Sequence, residues 1–185
     1  MTDHSRLVTL LAAQSAKRGQ FTLASGKTST VYIDARLTTM SPEGLSLIGP
    51  LGLAALRRAG WKIDAVGGLT LGADPVSYAI SYASASSDKP LRAFTVRKEI
   101  KTHGTGKLIE GPFISGDRVA IIEDVITTGG SALRAIKAVR KEHGIVVGVL
   151  ALVDREEGGR EAIEAAGVEV ISMVRASEII STMEG

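Results

Sequence analysis

Glu123 and Asp124 are followed at once by Val125, Ile126, Thr127, Thr128, Gly129, Gly130 and Ser131. Two acids ahead of hydroxyls and glycines can divide a ligand between them. Backbone N–H groups in a tight glycine loop converge on an anion, and threonine and serine hydroxyls add donors, so residues 127–131 suit a phosphate. The carboxylates repel an anion, and their partners are sugar hydroxyls or a metal ion. A ligand carrying a phosphate, a diol and Mg²⁺ matches that division. The plainer alternative is a strand end with solvated acids and an ordinary loop. It accounts for an acidic pair alone better than for the whole run.

A second cluster is cationic. Arg97, Lys98, Lys101 and Lys107, with His103, face the single acid Glu99 in a chain whose net charge is only +2. Gly104 and Gly106 allow this stretch to hinge. Its plain alternative is a solvated charged loop.

These residues need a frame. Val119, Ala120, Ile121 and Ile122 form a short apolar run, as in a strand buried on both faces of a parallel sheet, and a helix is expected over 130–143. Strand, small-residue loop and helix together aim free N–H groups and a helix dipole at a phosphate. The same alternation recurs: strands over 64–68, 91–96, 118–124, 146–153 and 168–174, with further helices over 75–84 and 158–166. The expected fold is therefore α/β, a five-stranded, mostly parallel sheet flanked by helices, with ligands at the carboxyl ends of the strands. Residues 108–111 read as a short strand by which the basic excursion returns. Ahead of the sheet we expect a helix from Thr2 or Asp3 to about Lys17, stopped at Arg18-Gly19, then short strands over 21–23 and 31–34. A helix starting at Pro42 and closed by Gly60 follows. Residues 1–185 read as a single domain, in which mainly residues 1–40 with the C-terminal segment form a small cap over the strand ends and about 41–175 form the core.

Composition excludes several classes. Hydrophobic residues at 44% and 21 glycines argue against a disordered or fibrous chain. The absence of cysteine removes disulfides and thiolate metal sites and is compatible with a reducing cytoplasm. The N-terminus lacks the layout of a secretion signal, and no apolar run is long enough to span a bilayer. The small net charge gives little reason to expect nucleic-acid binding. Gly26-Lys27-Thr28 is not a Walker loop, because the earlier glycine would fall at Phe21, and no Gly-x-Gly-x-x-Gly occurs.

The run from Arg118 to Ala132 closely resembles the phosphoribosyl-diphosphate (PRPP) signature of type I phosphoribosyltransferases. The resemblance implies that the loop cradles the 5-phosphate and that Glu123 and Asp124 bind the ribose hydroxyls. Four further stretches are similar to the orotate phosphoribosyltransferase family. One is the basic loop beginning Arg97-Lys98-Glu99, and another is Phe21-Thr22-Leu23-Ala24-Ser25-Gly26-Lys27-Thr28-Ser29 with Tyr32-Ile33-Asp34. The others are Gly67-Gly68-Leu69-Thr70-Leu71-Gly72-Ala73-Asp74-Pro75, resembling a loop that approaches the diphosphate, and Leu152-Val153-Asp154-Arg155-Glu156-Glu157-Gly158. Many members carry lysine where this chain has Ala24 and Gly72.

The resemblance implies transfer of a phosphoribosyl group from PRPP to orotate, a step of pyrimidine biosynthesis, with Mg²⁺ carried mainly by PRPP. Lys98, Lys101, His103 and Asp124 would be catalytic. The basic residues, with Arg97, would form a lid that neutralises the departing diphosphate and excludes water. His103 suits proton donation near neutral pH. Arg155 would pair with the orotate carboxylate, its alternative being a local pair with Asp154 or Glu157. Thr127, Tyr32 and Ile33 would complete the base site. A homodimer is implied, in which the loop acts in the neighbouring subunit. The rivals are a phosphoribosyltransferase for another base and a PRPP-binding regulator without turnover.

Overall fold

The computed structural model describes residues 1–22, 28–99 and 108–184. The expectations at Lys101 and His103, and those at Ala24 and Lys27, lie outside the described residues. The central sheet contains β3 (Ala65–Leu69), β4 (Arg92–Val96), β5 (Ile109–Glu110), β6 (Arg118–Ile126), β7 (Ile145–Asp154) and β8 (Glu169–Arg175), in the spatial order β5-β4-β3-β6-β7-β8. All five expected parallel strands are present. The return segment adds a sixth, with β5 antiparallel to β4 at Thr95↔Glu110 and Val96↔Ile109.

Alternation along β6 explains why it is central. Ala120 and Ile122 enter one core layer, and Val119 and Ile121 enter the other, all at 0% exposure. Each valine or isoleucine so buried contributes about 1.5–3 kcal/mol of transfer free energy. One layer lies under α3 (Pro42–Arg58) and α4 (Ala73–Ala83). The other lies under α5 (Gly130–Lys141), which buries Ala132, Ala135, Ile136 and Val139, and α6 (Gly159–Glu164). Strand order reverses at β3, which has β4 on one side and β6 on the other. Connections diverge there and leave a crevice at the carboxyl ends.

The N-terminal region differs from expectation. Helix α1 (Asp3–Leu10) opens with Thr2 capping Ser5, then widens into a π-type turn over Leu11–Ser15. The helix therefore does not reach Lys17, and Arg18-Gly19 is no stop, because both lie inside β1 (Ala16–Thr22). That strand pairs antiparallel with β2 (Thr28–Ile33). Tertiary pairing decides this: Ser15 accepts the Asp34 N–H at 2.9 Å, and its hydroxyl bonds Thr38 at 2.7 Å in the interior. A short helix, α2 (Arg36–Thr39), follows the hairpin, and Ser41 then caps α3. The C-terminal segment, expected beside the cap but given no secondary structure, folds as helix α7 (Ala176–Glu184). It packs beside the N-terminal helical segments, and Arg18 donates to the Met183 carbonyl at 3.3 Å.

Candidate active site

β6 runs two residues beyond the expected end, since Val125 and Ile126 still pair with Val153 and Asp154. Glu123 and Asp124 are thus held within a strand. Glu123 is only 6% exposed, and its Oε2 has no hydrogen-bond partner among the described residues. Burial, reinforced by Asp124 beside it, holds its carboxyl well above the usual glutamate range. Burial also raises Asp124, opposed by the Val125 N–H, which donates to Asp124 Oδ1 at 2.9 Å. The pair favours retaining a proton, and Glu123, the more deeply buried, is its natural holder.

Immediately beyond, residues 125–131 and Glu123 line a small cavity of about 60 Å³. Gly129 makes its shape possible. Its φ is +80°, and a Cβ there would lie 2.8 Å from the Gly159 carbonyl oxygen. The chain then enters α5, directing the N-terminal end of that helix at the cavity. A phosphate fits such a place by charge and donors.

A larger cleft of about 740 Å³ adjoins it. This cleft brings together Tyr32, Ile33, Lys98, Glu123, Asp124, Val125, Thr127, Thr128, Ser131 and Arg155. Of the other expected residues, Ile126, Gly129 and Gly130 line the small cavity. Arg97 is placed differently: its Nη1 pairs with Glu110 at 3.3 Å across the β4–β5 edge, and it is not among the residues lining the large cleft. Lys98 reaches the cleft, and its carbonyl accepts from Arg134 at 2.8 Å.

Arg155 leaves the end of β7 with its side chain 7% exposed. Its backbone N–H donates to the Ile126 carbonyl at 2.9 Å, and its guanidinium donates to Glu157 at 2.7 Å and to the Val31 carbonyl at 3.1 Å. The local pair with Glu157 therefore exists, while Asp154 is taken by Arg160 at 2.9 Å. Through Val31, Arg155 also ties the hairpin to the sheet. Tyr32 is 41% exposed and stacks on Phe21 at 5.5 Å, whereas the Ile33 side chain is 6% exposed.

Two features were not anticipated. Arg36 enters the cleft and grips Asp34 with two bonds, 2.8 and 2.9 Å, which hold the Asp34 carboxyl below its usual range. The Asp-x-Arg spacing at the start of α2 was the available signal. The wall at residues 69–72 presses on Asp124 far more closely than its sequence suggests, since a Cβ built on Gly72 would sit 2.5 Å from that carboxyl group. Among the described residues no group of three or more histidines, cysteines or acids could hold a metal ion.

No family model matches the chain. Individual proteins do. A protein of Aquifex aeolicus (strain VF5) named orotate phosphoribosyltransferase is 46% identical over 184 residues, covering 97% of this chain and 99% of the relative. One of the same name from Rhodopseudomonas palustris (strain BisB18) is 43% identical, with 97% of each chain covered. The crystal structure of Mycobacterium tuberculosis H37Rv orotate phosphoribosyltransferase in complex with PRPP superposes with a TM-score of 0.80 at 40% identity, covering 96% of this chain and 99% of that one. Similarity at this level extends from the hairpin through the acids to the C-terminal helix, so the chain belongs to the orotate phosphoribosyltransferase family.

Proposed function

We propose that the cleft binds PRPP and orotate and transfers the 5-phosphoribosyl group to an orotate ring nitrogen, giving orotidine 5-monophosphate and diphosphate. The observation that carries this reading is the adjacency of an anion cradle, the buried Glu123 with the half-buried Asp124, and the Arg155 guanidinium around one cleft. Residues 127–131 hold the 5-phosphate with backbone N–H and hydroxyl donors. Glu123 and Asp124 accept from the ribose hydroxyls, and the carboxylate of Asp124 favours positive charge developing at C1. Arg155 takes the orotate carboxylate, with Glu157 and the Val31 carbonyl fixing the guanidinium. Tyr32 and Ile33 wall the base.

Mg²⁺ fits this donor set only as an ion shared with the ligand. With Glu123 protonated, Asp124 is the one carboxylate the pair would offer, so most of the shell would fall to phosphate and water oxygens. Bound in that way, it would neutralise diphosphate charge. Lys98, with Lys101 and His103 on the basic loop, supplies donors as the C1–oxygen bond breaks, and the loop excludes water. We further infer a cytoplasmic homodimer whose loops serve the partner's cleft. The cysteine-free composition supports the compartment. The exposed groove of Leu45, Tyr78 and Tyr82 supports the association.

Loss of orotate absorbance on mixing protein, orotate, PRPP and Mg²⁺ tests the reaction. PRPP consumption with another base in place of orotate would reassign the acceptor. PRPP binding without consumption would make the protein a regulator.

A further inference from the structure

Asp74 stands at the start of α4, 8% exposed, behind the loop that forms one wall of the cleft. Two hydroxyls converge on it. Thr70 donates to Oδ2 at 2.7 Å, and Thr95, on β4, donates to Oδ1 at 2.8 Å. Each hydroxyl has one proton, and both are spent on the carboxylate. The Tyr78 hydroxyl, 2.8 Å from Thr95 Oγ1, is therefore the donor in that contact.

The backbone reinforces the same attachment. Thr70 N–H donates to the Val96 carbonyl at 2.8 Å, and Asp74 N–H closes the turn onto the Leu71 carbonyl at 3.3 Å. Residues 70–74 are thus fastened to two consecutive residues of β4, with Asp74 at the centre. The free side of this turn is the cleft wall at Thr70, Leu71 and Gly72, lying against Asp124.

We propose that Asp74 is a positioning residue for phosphoribosyl transfer: by holding Thr70 and Thr95 it sets the wall at residues 70–72 at a fixed height over Asp124, where the diphosphate end of PRPP must lie. This rests on the reading of the cleft as a PRPP site. The small cavity of the 5-phosphate cradle is lined without residues 70–72, and Arg155 belongs to β7, across β6 from this wall. Loosening the turn therefore affects one end of one substrate. A buried network that served folding alone would lower stability without distinguishing the two substrates.

The test is titration calorimetry of PRPP with Mg²⁺, and of diphosphate with Mg²⁺, together with steady-state kinetics and thermal melting. The variants are Asp74→Asn, Thr95→Val and Thr95→Ser. Asp74→Asn and Thr95→Val are expected to weaken PRPP and diphosphate binding at least about tenfold, the scale of one lost hydrogen bond to a charged group. The orotate KM and ribose 5-phosphate affinity should stay within about twofold. Thr95→Ser keeps the hydroxyl and should restore PRPP affinity. Folded variants that bind PRPP as wild type does, or that lose orotate and PRPP equally, would overturn the assignment. Should Asp74→Asn fail to fold, the two Thr95 variants decide alone. Wild-type protein that binds no PRPP would instead sink the reading of the cleft, a result distinct from wild-type binding with unaltered variants.

Discussion

The Gly72 backbone lies directly against the Asp124 carboxyl group: a Cβ built on Gly72 would come within 2.5 Å of its carbon and both oxygens. A side chain at position 72, such as the lysine carried by many members of the family, requires the Asp124 carboxyl to turn aside. Asp124 cannot withdraw freely, since Oδ1 also accepts the Val125 N–H at 2.9 Å. Position 72 therefore sets where a site carboxylate stands.

Gly72→Ala should accordingly turn the Asp124 carboxyl aside and lower kcat by no more than about tenfold, since relatives with lysine at this place accommodate a side chain. Its melting temperature should change little, because the displaced group borders an open cleft. Steady-state kinetics on the purified variant checks this, and undiminished turnover would show that Asp124 can yield without consequence.

Glu123 gives a pH-dependent prediction. Its carboxyl is raised in the folded protein, so the folded state binds the proton more tightly than the unfolded chain. Its contribution is complete below the ordinary glutamate value of 4.5 and is lost as pH rises through the folded value. Each pH unit within that window costs about 1.4 kcal/mol. Glu123→Gln has no proton to lose, so its melting temperature should gain on wild type as pH rises above 4.5 and level off beyond the raised folded value, while turnover falls. Parallel melting curves for the two proteins would refute the buried-proton picture.

Lys101→Ala should reduce turnover at least ~100-fold, on the scale of a lost charge-stabilising donor. If the loop serves the partner's cleft, mixing inactive Lys101→Ala and Asp124→Asn proteins should restore activity, because one hybrid cleft then keeps both groups. No recovery on mixing would confine the loop to its own subunit.

Arg155→Ala should raise the orotate KM by about 10- to 100-fold, as expected for a charge-assisted contact, and the PRPP KM far less. The lost bond to the Val31 carbonyl predicts a modest drop in melting temperature as well. Equal effects on both substrates would mean that Arg155 only braces the hairpin.

The sheet was legible because its strands are short apolar runs separated by helical periods, a pattern that needs no knowledge of partners. The acids and the glycine loop were legible because their residue types have few other uses at that spacing. The start of the chain was not. Residues 11–15 are helix formers, but Ser15 is committed to Asp34 and Thr38, contacts distant in sequence, and these end the helix early. The contacts that join Asp74 and Tyr78 to Thr95, and Gly72 to Asp124, were equally invisible, because each depends on segments brought together only in the fold, whereas the Arg36–Asp34 pair is local and its spacing was readable. Arg155 lies between these cases: its candidate partners were readable from their proximity, but its hold on Val31 was not.

The two-residue strand β5 does more than return the chain from the basic loop. It occupies hydrogen-bonding positions on the outer margin of β4 at Thr95 and Val96, and Arg92 covers the other end of that margin by donating to the Pro112 carbonyl and to Asp117. An uncovered margin of this kind recruits strands from other molecules. Shortening the basic loop to probe catalysis should therefore spare Ile109 and Glu110, or the engineered protein will self-associate through its sheet before its kinetics can be measured.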